Sequence, residues 1–280
     1  MRVSIVFVLA VSSLFAQDSL KRAEELYQRT DYRGSLAALR GVTSAEALCL
    51  TGKDDFMLGD YKKATEVLQK ALSLDPTKSE YAHWLGRSFG RRAETASFLN
   101  APGLASKARQ YFELAVALDP NNDEALNDLF DYYLQAPGFL GGGFDKAEQI
   151  AKRIAQRNSA EGQFAEAQLA DKRKQFDAAE THLRNAMELA PRQVGRVLDL
   201  AKYLAKHGRI QESEAAFDRA EHLAPRAPSV YFTRARTYID QKRNLDKAKA
   251  LLSKYLASDL TPDDPPRQEA VKLLKQVSGA

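Results

Sequence analysis

Four histidines, one cysteine, a Thr-Gly-Lys triplet and a glycine-rich run are the places where residue types in this chain could support chemistry. His83, His182, His207 and His222 are scattered, and none has a second ligand three or four residues further along the chain. No helical turn therefore offers a pair of imidazoles to a metal. Cys49 has neither a neighbouring histidine nor a CxxC partner, so it reads as a small apolar residue on a helix. Thr51-Gly52-Lys53 has the order of the last residues of a phosphate-binding loop. That motif needs a glycine where Ala47 stands, and a strand before it, so the assignment fails. No acid–base pair or nucleophile dyad stands out, and neither an enzyme nor a cofactor is expected.

The run Gly138–Asp145 (GFLGGGFD) is more informative. Glycines ahead of a helix can hold phosphate on free backbone N–H groups. Here Asp145, the expected helix cap, would use those donors and repel an anion. The plain reading is a tight excursion in which Phe139 and Leu140 pack back on their neighbours. The alternative is a ligand or partner contact made by Phe139, Leu140 and Phe144. A second set appears when the chain is aligned on its own internal repeat. Lys53, Arg87, Lys202 and Arg236 then share one position, with Asp131 and Gln168 occupying it in the middle of the chain. Neighbouring positions carry His83, Asn127, Phe164, Leu198 and Phe232. A solvated charge row is one account. The sharper one is a groove whose cations take an acidic peptide or carboxyl terminus while the aromatics supply apolar anchors.

The elements that must position these residues are written in Gly59–Pro76, GDYKKATEVLQKALSLDP. Gly59-Asp60 interrupts a preceding apolar run, and Asp60 is a good N-cap. Tyr61, Ala64, Val67, Leu68, Ala71 and Leu72 then follow the three-four spacing of a one-sided helix. Pro76 closes it by pushing Asp75 out of the α region. Ala64 and Ala71 let a neighbouring helix approach closely, and Leu68 fills the space between them. The pattern Ala64, Leu68, Ala71, Pro76 returns as Ala108, Phe112, Ala115, Pro120, as Ala179, Leu183, Ala186, Pro191 and as Ser213, Phe217, Ala220, Pro225. The last two copies are 34 residues apart. That period and spacing resemble the tetratricopeptide repeat, a helix–turn–helix unit that stacks on its neighbours. The resemblance implies an all-α solenoid that binds along the face lined by first helices. The paired Lys/Asn pattern of carboxylate-clamp tetratricopeptide proteins is not reproduced, so their ligand is not implied.

About seven repeats are expected over residues 17–257, at approximately 19–40, 45–78, 79–122, 123–159, 160–193, 194–227 and 228–257. In the first, Asp31-Tyr32-Arg33 is read as the turn. Thr77-Lys78-Ser79-Glu80 reads as a capping box for the third repeat. Extra residues there suggest a lengthened first helix and a longer turn at Asn100-Ala101-Pro102-Gly103. A loop and a capping helix, with Ala270, Leu273 and Leu274 inward, complete the chain over 258–280.

Residues 1–16 read as a secretory signal peptide: Arg2, the apolar run Val3–Val11, then small Ser12, Ser13 and Ala16 before Gln17-Asp18. The apolar run is short of the ~20 residues that span a bilayer, so no stable membrane span is expected after cleavage. An exported protein, periplasmic or extracellular, follows. The net charge of +4 over 280 residues is too balanced for a nucleic-acid partner, whose footprint needs clustered Lys and Arg. A lone cysteine makes an intramolecular disulfide impossible.

Residues 136–147, APGFLGGGFDKA, are similar to a segment of exported bacterial tetratricopeptide proteins. Among these is the periplasmic accessory subunit of some TRAP-type solute transporters. Proteins of that type are usually lipid-anchored and oligomeric, whereas no lipobox cysteine stands near Ala16 here. Two functions are therefore expected from different classes. One is a non-catalytic scaffold or adaptor docking a protein or peptide, compatible with an oligomer. The other is a solute-binding transporter accessory walled by Phe139–Phe144, Tyr132, Tyr133 and Trp84.

Overall fold

The computed structural model describes residues 3–279, with side chains from Ala16 onward. The start of the expected leader, Met1-Arg2, lies outside the described residues, as do the side chains of its apolar run. All regular structure among the described residues is helical, and the fold is an all-α helical repeat solenoid. The chain divides into two compact units, residues 1–129 and 130–280.

In the first unit α1 (Val3–Gln28) packs on α2 (Tyr32–Ala38), α3 (Ala45–Met57) on α4 (Tyr61–Leu74), and α5 (Ser79–Thr95) on α6 (Ala101–Leu118). The repeated small–bulky–small pattern is the contact surface of these pairs. Ala64, Leu68 and Ala71 of α4 are completely buried, and Ala108, Phe112 and Ala115 hold the same places on α6. The facing helices carry glycines: a Cβ on Gly52 would lie 2.4 Å from Leu68 Cγ, and one on Gly86 2.6 Å from Phe112 Cδ1. Close helix approach is thus specified from both sides, by what one helix lacks and the other inserts. The Asp60 carboxylate caps α4, accepting from the Lys63 N–H.

Three sequence expectations are corrected here. Asp31 caps α2 and Tyr32 already belongs to it, so residues 31–33 are a helix start rather than a turn. The box at Thr77–Glu80 does not form, because Thr77 bonds back to Asp75 and Ser79 Oγ instead donates to the Ala115 carbonyl, 2.8 Å away. Residues 101–103 are not a turn but the first turn of α6, where a proline removes an N–H that would have no helical partner anyway. The connecting link is only residues 96–100.

One group in this unit opposes the fold. Asp54 of α3 is fully buried, and neither of its oxygens has a hydrogen-bond partner. Ser35 of α2 stands beside it, close enough to favour its charge but outside hydrogen-bond geometry.

α7 (Asp123–Gln135) runs across the division between the units. Beyond it, a single 3-10 turn (Gly138–Leu140) leads into α8 (Phe144–Arg157). The second unit continues with α9 (Ser159–Lys172), α10 (Phe176–Leu189), α11 (Val194–Lys206), α12 (Ile210–Leu223), α13 (Pro228–Asp240), α14 (Leu245–Leu256) and α15 (Arg267–Ser278). α9 packs on α8 and α10, α11 on α12, and α13 on α14. Their core again rests on the repeated pattern, with Ala179, Leu183, Phe217, Ala220, Ala248 and Leu252 buried. Ala270 of α15 is buried against α13 and α14, with Leu273 and Leu274 packed around it. Glu214 of α12 joins three partners: Arg234 at 2.5 Å, Tyr238 at 2.7 Å and Arg243 at 2.6 Å.

Candidate functional site

The cations predicted to line one groove sit in two different environments. In the first unit, Lys53 Nζ is 2.8 Å from Glu80 and lies 5.3 and 5.2 Å from the ring centres of Tyr27 and Trp84. Arg87 stacks 4.3 Å over Trp84 and stands 3.7 Å from Asp128. His83 is buried, with Nε2 2.7 Å from the same Asp128 carboxylate. Asn127, on the neighbouring turn of α7, is half-buried. These side chains form a mutually satisfied cluster around a buried indole, and cation–π contact gives the two cations a structural task. The cleft at Lys53 also carries Glu24, Glu25, Glu46 and Glu80, a poor surface for an acidic ligand.

The second unit is different. A cleft of about 670 Å³ opens between α11 and α13, with Phe232 and Ala205 among its apolar lining and Pro265 on one side. Lys202, Lys206 and Arg236 line it, together with Thr233, Thr237 and Gln241. Each cation leans on an acid: Lys202 on Asp199 at 2.8 Å, Lys206 on Asp171 at 2.5 Å, and Arg236 on Glu269 at 2.5 Å. The three cationic side chains are half or more exposed. The acids are the more buried members of these pairs, Asp199 at 10%, Asp171 at 21% and Glu269 at 28% side-chain exposure. A ligand carboxylate would therefore accept from the outward-facing donors that each cation still has free of its resident acid. Asp240 is the one acid in the lining itself.

Of the other expected groove residues, Phe232 is buried beneath this cleft and contributes shape. Phe164 is half-buried with the Arg196 guanidinium 4.4 Å over its ring, and Arg196 in turn is 3.2 Å from Glu161. Gln168 is half-buried on α9, Leu198 is buried in the core, and Asp131 is exposed on α7. Lys206 and Thr233 were missed. The available signal was helical spacing, since Lys206 is four residues beyond Lys202 and Thr233 three before Arg236.

The glycine-rich loop uses its own donors. The N–H groups of Leu140 and Gly142 reach the Pro137 carbonyl, Gly141 reaches Gly138, and Gly143 reaches Tyr133. Tyr132 Oη donates to Leu140 O and Lys146 Nζ to Gly141 O, both at 3.0 Å. A phosphate finds no free backbone cradle at these positions. Gly142 is required sterically, because a Cβ would fall 1.8 Å from the Ala136 carbonyl oxygen. Gly143, rather than Asp145, occupies the N-cap position of α8. The expected packing of Phe139 is corrected: its side chain is 82% exposed, while Leu140 is half-buried and Phe144 stacks under Arg173. Trp84, expected as a pocket wall, is buried against Phe56.

Among the described residues no group of three His, Cys, Asp or Glu side chains is placed to hold a metal ion. No helix among them is long and apolar enough to cross a membrane.

Comparison with known proteins now places this geometry. No curated protein sequence matches the chain. Among solved structures it is similar to a tetratricopeptide repeat protein from Parabacteroides merdae, at 15% identity over 95% of this chain and 99% of that one, with a TM-score of 0.62. It is also similar to a thermophilic TPR protein of Thermus thermophilus, at 20% identity over 68% of this chain and 98% of that one, with a TM-score of 0.55. A third likeness is to a chain of the APC/C hetero-tetramer Cut9–Hcn1, at 16% identity over 91% of this chain and 48% of that one, with a TM-score of 0.52. Residues 45–78 match the tetratricopeptide repeat family. The chain therefore carries a tetratricopeptide repeat in its first unit and has the fold of tetratricopeptide repeat proteins.

Proposed function

We propose that this chain is an exported, non-catalytic scaffold of the bacterial cell envelope that docks an acidic polypeptide in the cleft between α11 and α13. The observation that carries the reading is the grouping of Lys202, Lys206 and Arg236, each held by a more buried acid with its own side chain half or more exposed, around an apolar floor. An acidic side chain or carboxyl terminus would accept from the remaining donors of these cations, alongside the resident acids, and an adjacent apolar residue would rest over Phe232 and Ala205. The preformed walls require little reorganisation on binding. Export rests on the apolar run Val3–Val11 followed by small residues up to Ala16. The helical repeat fold supports an interaction role because stacked helix pairs present long, ready-made surfaces. The Cut9–Hcn1 neighbour belongs to a hetero-tetramer, which is a property of that assembly.

The solute-accessory alternative finds no comparable support, since Trp84 is committed to packing and Tyr132 to tying down the loop. Fluorescence anisotropy with synthetic peptides of equal length and graded acidity tests the docking site. Acidic peptides should bind best, and Lys202→Glu with Arg236→Glu should weaken them by at least about tenfold, two lost charge-assisted contacts being enough. Equal affinity for acidic and basic peptides, or no change in the double variant, would refute the site.

A further inference from the structure

The link between α5 and α6 carries the two most exposed large apolar side chains of the described residues, Phe98 at 90% and Leu99 at 87%. They sit side by side at the tip of a short turn, and the residues flanking them, Ser97 and Asn100, line a cleft of about 660 Å³. That cleft holds Lys62, Arg92 and Lys107, and none of the three is in an ion pair among the described residues. Arg92 donates to Thr65 Oγ1 at 2.8 Å, and Lys107 lies 5.2 Å over the Phe89 ring. The single acid of the lining, Asp60, is already occupied by Lys63 at 2.6 Å and by the α4 cap. α6 opens beside it with no acid in its first turn. Uncompensated positive charge therefore lies directly behind an exposed Phe-Leu pair.

We infer that this tip is a docking site for an anionic lipid surface. Phe98 and Leu99 enter the headgroup–acyl boundary, while Lys62, Arg92 and Lys107 receive lipid phosphates in the cleft behind them. A bilayer suits the arrangement better than a folded partner does. Two isolated apolar side chains at a turn need no complementary pocket to be buried in lipid, and anionic headgroups supply the opposite charge wherever the protein lands. A lone apolar insertion of this size binds weakly and reversibly, so both signals are needed. All the residues involved lie in the unit 1–129, and the inference does not depend on the peptide cleft of the other unit.

Co-sedimentation of the purified chain with vesicles of phosphatidylcholine alone, or mixed with phosphatidylglycerol, tests it. Binding is expected to the mixed vesicles only and to fall as salt is raised. Phe98→Ser with Leu99→Ser, at positions already in solvent, should weaken binding about tenfold or more. Lys62→Glu with Lys107→Glu should do the same, with the circular dichroism of both variants unchanged. Equal binding to neutral vesicles, no binding at all, or full binding by either variant would overturn the inference. Binding of inorganic phosphate without binding of vesicles would also overturn it, by showing a site for soluble anions.

Discussion

Asp54→Asn is expected to stabilise the chain at pH 8 by on the order of 5 kcal/mol, and to leave it nearly unchanged at pH 4. Burial is the largest influence on this carboxyl and pushes its pKa up to about 8, and the neighbouring Asp55 and Asp31 charges push the same way. Ser35 and Lys53 work against the rise without cancelling it. Asp55 is itself pushed up to about 6, again mainly by burial. The sign follows from which state holds the proton. Below pH 4 both folded and unfolded chains keep it, and Asp54 has no effect on stability. Above the ordinary carboxylate range the unfolded chain releases the proton while the folded chain must retain it. The folded state is then penalised progressively until pH 8, where the penalty levels off. Asparagine keeps the shape of the neutral acid and cannot ionise, so the difference between variant and wild type should grow with pH across this window. Urea denaturation of both proteins from pH 4 to pH 8 reads it directly. A constant difference, or a variant less stable at pH 8, would show that the carboxyl is satisfied in solution.

The opposite case is Glu214, where removing a charge is expected to destabilise by about 2–4 kcal/mol. Burial opposes the charged form here too, but donation from Tyr238, Arg243 and Arg234 outweighs it and holds the pKa below the usual carboxylate range. Glu214→Ala leaves two guanidinium groups facing each other across a partly buried space, with Arg234 retaining Asp218 at 3.0 Å and Arg243 losing its acid. Because the folded pKa is depressed, the stability from this carboxylate is present above the unfolded pKa and lost as pH falls through the folded value. Wild type should therefore weaken in acid more steeply than Glu214→Ala, and the two curves should converge at low pH. A loss under about 0.5 kcal/mol at neutral pH would mean that the cluster behaves as an ordinary surface ion pair.

These two carboxylates also mark the limits of what could be read from the chain alone. Helix pairing was legible because Ala64, Leu68 and Ala71 repeat at offsets that only a close helix–helix contact requires, and all three are buried. The Asp60 cap was legible because capping is local. The box at Thr77–Glu80 was misread because Ser79 found an acceptor on α6, 36 residues away, which no local pattern records. The start of α6 was misplaced because Pro102 and Gly103 usually announce a turn, yet a proline fits a first helical turn equally well. The cation row was visible as a register, and Lys202 and Arg236 do line one cleft. That Lys53 and Arg87 would instead be drawn over Trp84 depends on aromatic rings contributed by tertiary packing. Phe139 was read as packing inward with Leu140, while the loop is held without that side chain, by its backbone bonds and by Tyr132 and Lys146.

The central claim is that the cleft between α11 and α13 receives a polypeptide. A photoactivatable cross-linking residue in place of Thr233, within the cleft wall, tests it inside the cell, with a matched placement at the exposed Asp246 of α14 as control. The claim predicts one discrete protein adduct at position 233 that is absent at 246 and lost when Lys202 and Arg236 are both changed to Glu. An adduct of equal yield at both positions, or none at 233 in cells that make the protein, would contradict it.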